Sequence, residues 1–115
     1  MAEKPRLIRL DTFTNRSGAL TVVEKAPFDI KRAFWLHDIS GWRGGHGHKK
    51  CEQLIVSLHN RILIKSGDMQ WQLLGPCTGL YVPPGNQIDI FGPGAVVLVL
   101  CSEYYDEDDY VYPIR

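Results

Sequence analysis

The sequence predicts an all-β protein, and two observations support this prediction. Short runs rich in β-branched and aromatic residues alternate with Gly- and Pro-containing stretches, which are typical of turns between strands. Outside the C-terminal segment, no stretch keeps the 3.6-residue apolar spacing of an amphipathic helix over three turns. Many short strands at close spacing indicate a sandwich or a barrel.

The predicted strands follow one another closely along the chain. Residues 59–60 and 66–68 are expected to form hairpin turns, because Asn, Ser, Gly and Asp favour tight turns. The acidic and aromatic residues 103–110 are expected to form a short turn or helix on the surface. The strands themselves are predicted at residues 7–10, 20–24, 32–38, 47–58, 61–65, 69–74, 79–82, 86–91 and 95–101.

Length and composition restrict the class of protein. The 115 residues are expected to form one domain, 1–115, with a formal net charge of +0. This balance favours neither nucleic acid nor a membrane surface as a partner, and the longest apolar run, 95–101, is too short to span a bilayer. No signal peptide is recognisable, and the three cysteines lack a Cys-x-x-Cys pair. A cytoplasmic protein with reduced thiols is therefore predicted.

The segment from His46 to Glu52 contains the side chains best suited to metal binding or proton transfer. Alternate side chains of an extended strand share one face, so His46, His48, Lys50 and Glu52 are predicted to point the same way. Two imidazoles and a carboxylate on one face suit either metal binding or proton transfer. Histidines that serve only as hydrogen-bonded polar groups are a third reading.

The spacing His-x-His-x3-Glu resembles the first motif of the cupin family, whose fold is a double-stranded β-helix, or jelly-roll barrel. The second cupin motif, Pro-x-Gly-x2-His, is matched by residues 83–88, except that Ile88 occupies the position of the histidine. His46, His48 and Glu52 are still able to form a three-ligand metal site, as in a metal-dependent cupin enzyme. Because Ile88 removes one ligand, the prediction is proton transfer, with no bound metal and no cofactor.

The wider sequence resembles the cupin-type dTDP-sugar 3,4-ketoisomerases, which act on dTDP-4-keto-6-deoxyglucose. The resemblance extends over nearly the whole chain. Stretch 43–49 is similar to the family's Arg-Gly-x-His-Ala-His-Lys, with Gly47 in place of alanine. The other matching stretches are 15–21, 27–32, 79–82 and 104–110.

The resemblance implies an isomerase that moves a keto group from C4 to C3 of a dTDP-4-keto-6-deoxy sugar, in deoxysugar biosynthesis of the kind that supplies lipopolysaccharide. His48 is the implied base at C3, and His46 would shuttle the hydroxyl proton or polarise the carbonyl. Arg43 could stabilise the negatively charged enediolate intermediate or bind the diphosphate, and Arg16 is a second candidate for the diphosphate. Glu52 is a further substrate-site candidate, which could orient an imidazole or serve as an ordinary polar residue.

Two departures from the family pattern leave an alternative open. The family usually has a tyrosine pair where this chain has Phe34 and Trp35, and Ile88 lies where it has Trp-His-Glu. A cupin that binds a nucleotide sugar with weak or no turnover is therefore the second candidate. The resemblance also implies a homodimer with exchanged N-terminal strands, consistent with residues 7–10 having no hairpin partner nearby in sequence.

Overall fold

The fold consists of short β-strands and one 3-10 helix, as described for residues 3–112 by a computed structural model. All strand pairs are antiparallel. The strands are β1 (Arg6–Arg9), β2 (Asp11–Asn15), β3 (Gly18–Val22), β4 (Arg32–Leu36), β5 (Arg43–His48), β6 (Gln53–His59), β7 (Ile62–Ser66), β8 (Met69–Leu73), β9 (Thr78–Val82), β10 (Ile88–Phe91), β11 (Val96–Cys101) and β12 (Tyr110–Val111), and the helix is Glu107–Asp109.

Two five-stranded sheets form the body of the protein. One has the strand order β1-β9-β6-β11-β4 and the other β12-β5-β10-β7-β8, whereas β2 and β3 pair only with each other. Sequence neighbours such as β5 and β6 lie in different sheets, as in a jelly roll. The predicted all-β cupin fold, a double-stranded β-helix, is confirmed. Within residues 3–112 no helix is long and apolar enough to cross a membrane.

The main core lies between the two sheets. Ile55, Leu80 and Val97 of the first sheet and Ile64 of the second are fully buried and belong to one cluster. Because side chains alternate along a strand, the neighbours Leu54 and Tyr81 face the other side of the first sheet, where a second apolar cluster forms. The first sheet is thus apolar on both faces.

Several local predictions were wrong. The single strand predicted over 47–58 is two strands, β5 and β6, with a break at residues 49–52. The turn at residues 59–60 connects the two sheets instead of closing a hairpin, since β6 and β7 do not pair. The hairpin at 66–68 is confirmed, with Ser66 opposite Met69. Strands β2 and β12 were not predicted.

A bulge in β5 sets the direction of its histidines. Ile88 of β10 pairs with His46, but the next residue pairs with Gly44, so one residue of β5 is left over. Gly44 has a φ of 110°, and a Cβ there would lie 2.5 Å from the Ile88 carbonyl oxygen, so only glycine fits. Bulges often redirect side chains beside functional sites, and this one places His46 next to Ile88.

Candidate active site

A cavity of about 430 Å³ opens between the two sheets beside β5. Its wall is mostly apolar, a property that excludes water and strengthens electrostatic effects inside. The apolar part of the wall comes from Ala33, Phe34, Leu36, Ile55, Ile88, Ile90 and Val99. The polar part comes from Arg32, Arg43, His46, Gln53, Tyr105 and Tyr110.

Two imidazoles lie side by side at this cavity. His46 and His48 alternate on β5, and their ring centroids are 5.4 Å apart in an edge-to-face arrangement. His46 lines the cavity and is partly exposed, whereas His48 lies behind it with 5% of its surface exposed. Nδ1 of His46 is buried without a hydrogen-bond partner among the described residues. The predicted proximity of the two histidines is confirmed.

His48 is held by the carboxylate of Asp109. Nδ1 of His48 lies 3.0 Å from Oδ2 of Asp109, and both side chains are buried. The backbone N–H of Lys50 donates to Oδ1 over 2.8 Å, and that of Cys51 donates to Oδ2 over 3.2 Å. Because a carboxylate can only accept, the imidazole proton lies on Nδ1 and the lone pair on Nε2.

The unprotonated nitrogen of His48 is directed toward the cavity wall. Its Nε2 lies 3.4 Å from the side-chain Nε2 of Gln53, a residue that lines the cavity. An amide N–H donating to this nitrogen is consistent with the tautomer that Asp109 selects. The pair Asp109–His48 therefore presents a neutral, oriented base toward the cavity.

The environment lowers the pKa of both imidazoles. For His48 burial is the largest cause and the Arg32 charge adds to it, while Asp109 opposes the change. For His46 burial again dominates, and the neighbouring His48 adds to it. Burial alone would favour protonated Asp109, but its hydrogen bonds from Lys50, His48 and Cys51 lower its pKa overall. At neutral pH the site thus holds two neutral imidazoles and one carboxylate.

Tyr110 covers both imidazoles. Its ring centroid lies 4.7 Å from that of His46 and 4.6 Å from that of His48. The 3-10 helix places Asp109 inward, and Tyr110 then begins β12 and pairs with His48 of β5. The predicted short helix is therefore present and residues 104–108 are exposed, but Asp109 and Tyr110 belong to the site, so for these two residues the predicted surface position was wrong.

Comparison with known proteins gives the family. The model of the FdtA family, described as WxcM-like, C-terminal, matches residues 3–115. The chain belongs to this family. A TDP-4-oxo-6-deoxy-alpha-D-glucose-3,4-oxoisomerase from Aneurinibacillus thermoaerophilus is 34% identical over an alignment that is 117 residues long with its gaps. The alignment covers 92% of this chain and 84% of the relative.

Solved structures of 3,4-ketoisomerases have the same fold. QdtA from Thermoanaerobacterium thermosaccharolyticum, in complex with TDP, is 35% identical with a TM-score of 0.90, over 98% of this chain and 90% of that one. A 3,4-ketoisomerase from Helicobacter canadensis is 28% identical with a TM-score of 0.89, over 95% of this chain and 90% of that one. The predicted resemblance to the ketoisomerases is confirmed for this FdtA-family chain.

The structure separates the residues predicted to form the site. His46 and Arg43 line the cavity and His48 lies directly behind it. Arg16 lies in the β2–β3 turn and is exposed, and it is not part of this cavity. The structure therefore brings the histidines and Arg43 together but leaves Arg16 outside.

The prediction that Glu52 shares a face with the histidines was wrong. Its carboxylate accepts a hydrogen bond from the hydroxyl of Tyr81, which belongs to the apolar cluster on the outer face of the first sheet. The cause is the break at residues 49–52, where Asp109 takes the N–H groups of Lys50 and Cys51. The alternation of side chains therefore stops after His48.

The turned Glu52 also removes the three-ligand set that a metal-dependent cupin would need. Among the described residues the one cluster with metal-ligand spacing is His48, Cys51 and Asp109, whose ligand atoms lie within 4.8 Å of one another. Both Asp109 oxygens already accept hydrogen bonds there, so the cluster is satisfied as it is. The expectation of no bound metal stays a prediction.

The shifted imidazole pKa values predict the pH dependence of activity. A general base must be unprotonated, and the pKa of His48 lies below its ordinary value of 6.5. We expect kcat/KM to be constant near neutral pH and to fall as the pH drops through this lowered pKa. Initial rates measured across the pH range test this, and an acid limb above 6.5 would contradict it.

Proposed function

We propose that this protein is a dTDP-sugar 3,4-ketoisomerase that moves the keto group of a dTDP-4-keto-6-deoxy sugar from C4 to C3. The observation that carries the proposal is the buried Asp109–His48 pair, whose unprotonated Nε2 lies against Gln53 in the wall of a largely apolar cavity, behind His46. Its FdtA-family relatives are named for this reaction or this activity class. The product belongs to deoxysugar biosynthesis; a role in lipopolysaccharide stays a prediction.

The reaction needs only proton transfers. Nε2 of His48 takes the proton from C3, and the electron pair of that bond forms an enediolate across C3 and C4. A proton is then delivered to C4, and the C3 hydroxyl proton moves to the C4 oxygen, so C3 becomes the carbonyl. His46, which lines the cavity, moves the hydroxyl proton. Each positioned acid or base contributes roughly 10²- to 10⁴-fold in rate.

The enediolate carries negative charge that the cavity must stabilise. Arg32 lines the wall, and its guanidinium is close enough to His48 to lower the imidazole pKa. A fixed positive charge in a water-poor cavity stabilises a developing oxyanion more than it would in solvent. Arg32 is therefore assigned to the enediolate, a role for which the sequence had suggested Arg43.

The assignment is tested with dTDP-4-keto-6-deoxyglucose in deuterium oxide. We expect NMR spectra to show a 3-keto product with solvent deuterium at C4, and slow exchange at C3 of the remaining substrate. The binding-only alternative is supported by Phe34 and Ile88, two cavity residues without hydrogen-bonding groups. Protein that binds the nucleotide sugar but yields neither product nor deuterium exchange would support that alternative and refute the isomerase.

Arg43 is proposed to hold the diphosphate at the mouth of the cavity. It lines the cavity and remains exposed, so a flexible guanidinium can reach an anionic group there. We expect Arg43→Ala to raise the Kd for dTDP by roughly 10- to 150-fold, because a charge-assisted contact contributes about 1.5–3 kcal/mol. Calorimetric titration measures the change.

Arg61→Ala is the matched control for Arg43→Ala. Arg61 is also exposed but lies beside a different cavity, at the turn between the sheets. It should leave the Kd unchanged within error. Equal affinities of wild type and Arg43→Ala for dTDP would remove Arg43 from the diphosphate site.

We also propose a homodimer in which the β2–β3 hairpin packs on a second copy. β1 already pairs with β9 of its own chain, so the strands left to be exchanged are β2 and β3. Phe13 and Leu20 are directly opposite each other on the hairpin and are 65% and 60% exposed, a patch that a second copy would cover. Arg16, at the exposed hairpin turn, would then lie close to the second copy.

Light scattering tests the dimer. We expect a mass of twice the 13.1 kDa of one chain at micromolar concentration, and a shift toward monomer in Phe13→Asp, because a charge would be buried in the interface. Asp is also disfavoured in strands, so Thr14→Asp, an exposed change on the same strand, is the control. Wild type at the monomer mass would contradict the proposal.

The cytoplasm is the proposed location. All three cysteines are free thiols, two of them buried. A reducing compartment keeps such thiols reduced.

A further inference from the structure

Arg32 lies at the cavity wall without a carboxylate partner. Among residues 3–112 no Asp or Glu lies within ion-pair distance of its guanidinium, and its Nε is buried without a hydrogen bond. The guanidinium instead lies near the Phe34 and Tyr105 rings, at 5.6 and 5.7 Å from their centroids. A partly buried charge normally has a counter-charge, so the group that balances Arg32 must be sought elsewhere.

An ionisable group in contact with the guanidinium is the thiol of Cys101. Nη2 of Arg32 lies 3.5 Å from its sulfur, and Nε2 of Gln53 lies 3.8 Å from it. The Cys51 thiol is a neighbour of this sulfur, but its Sγ donates to the backbone carbonyl of Glu52 over 3.4 Å. Cys101 itself is fully buried on the inner face of β11, directly opposite Gln53. Donors from β4 and β6 thus converge on one sulfur, as they would around a thiolate.

The direction of the pKa shifts agrees with this geometry. The Cys51 thiol and the Arg32 guanidinium lower the pKa of Cys101 to about 6, although burial opposes them. The pKa of Cys51 is raised, chiefly by the neighbouring Cys101 sulfur, so Cys51 keeps its proton. Of the two buried thiols, Cys101 is therefore the one that loses its proton first.

We propose that Cys101 is a positioning residue of the active site, a buried thiolate that holds the Arg32 guanidinium at the cavity wall and offsets its charge beside His48. This inference rests on the proposed function of the cavity. It assigns a role to a thiol that makes no contact with the substrate and acts through Arg32.

The thiolate should act on the pH profile through His48. Arg32 lowers the pKa of His48, so loss of a compensating negative charge lowers that pKa further. The fall of kcat/KM on the acid side then moves to lower pH, because His48 stays unprotonated to a lower pH. The other titratable groups around the pair are His46, Cys51, Asp109 and Tyr110, all of which the variants below leave in place.

The first test is the ultraviolet absorbance of the thiolate as a function of pH, in a Cys77→Ser background that removes the exposed thiol. We expect a midpoint near 6, carried by Cys101 and absent in Cys101→Ser. Arg32→Gln, which keeps Cys101, should move this midpoint up by about one unit or more, since the charge partner is gone. A midpoint near the ordinary thiol value of about 8.5, or no response to Arg32→Gln, would overturn the ion pair.

The second test is kinetic. Cys101→Ser keeps a hydrogen-bonding group but loses the charge, so kcat/KM should fall about tenfold and its acid limb should move down by about half a pH unit. Cys77→Ser should change neither quantity. Unchanged rate and unchanged limb in a folded Cys101→Ser, checked by circular dichroism, would refute the positioning role.

The two tests distinguish failure of the proposed function from failure of the Arg32–Cys101 pair. If wild type has no isomerase activity, the proposed function fails, while the absorbance titration still decides whether Cys101 and Arg32 form a pair. If Cys101→Ser does not fold, Arg32→Gln and the wild-type titration still decide the question, because both retain the cysteine.

Discussion

Replacing His48 by Asn is expected to lower kcat by roughly 10²- to 10⁴-fold while the affinity for dTDP stays close to that of wild type. Asn is smaller than His but can still hydrogen-bond to Asp109 through its amide N–H, and it has no lone pair that accepts a proton near neutral pH. The nucleotide is expected to bind at the mouth of the cavity, away from this buried residue. NMR turnover assays and calorimetry with dTDP measure the two quantities.

His59→Asn is the control, since His59 is exposed at the far end of β6. It should have wild-type kcat. The comparison with His46→Asn separates the two site histidines: if His46 only moves the hydroxyl proton, its replacement should leave measurable deuterium exchange at C3, which His48→Asn abolishes. Exchange that persists in His48→Asn and is lost in His46→Asn would reverse the two roles.

Asp109→Asn is expected to reduce both activity and stability. The carboxylate accepts from His48 and from the N–H groups of Lys50 and Cys51, whereas an amide has one oxygen and must direct an N–H at a donor. We expect a loss of about 1–3 kcal/mol in the free energy of unfolding, the usual cost of an unsatisfied buried group. We also expect kcat to fall by roughly 10²-fold, because the imidazole loses its fixed tautomer.

Urea unfolding and turnover assays measure both effects of Asp109→Asn. Asp108→Asn is the matched control, because Asp108 is the exposed neighbour in the same 3-10 helix. It should resemble wild type in both assays. If Asp109→Asn is less stable but turns over at the wild-type rate, Asp109 stabilises the fold and has no part in orienting His48.

Local pattern was sufficient to predict most of the fold. The alternation of apolar residues and the Gly and Pro turns gave the position of most strands, and the two-residue spacing of His46 and His48 correctly placed both imidazoles at one site. β2 was not predicted because Asp11–Asn15 is polar and has no apolar alternation. It is a strand because β3 pairs with it, and a pairing of that kind is not visible in one strand alone.

The remainder of the site depends on contacts between distant parts of the chain. Asp109 lies in a run of acidic residues, and nothing local distinguishes this buried carboxylate from its exposed neighbours. The family resemblance included Tyr110 and Asp109, which was the available signal, but their position in space was not part of it. The direction of Glu52 was wrongly predicted for the same reason. The break in the strand before Glu52 depends on hydrogen bonds to Asp109, which is distant in sequence.

The hydrogen bonds between Asp109 and the end of β5 have a consequence for the synthesis of the protein. Asp109 and His48 are 61 residues apart in sequence, and Asp109 follows every strand of the two sheets except β12. Synthesis therefore delivers almost all of the strands before the carboxylate that orients the base. A chain interrupted during synthesis before residue 109 would have most of the β-strands but no oriented base.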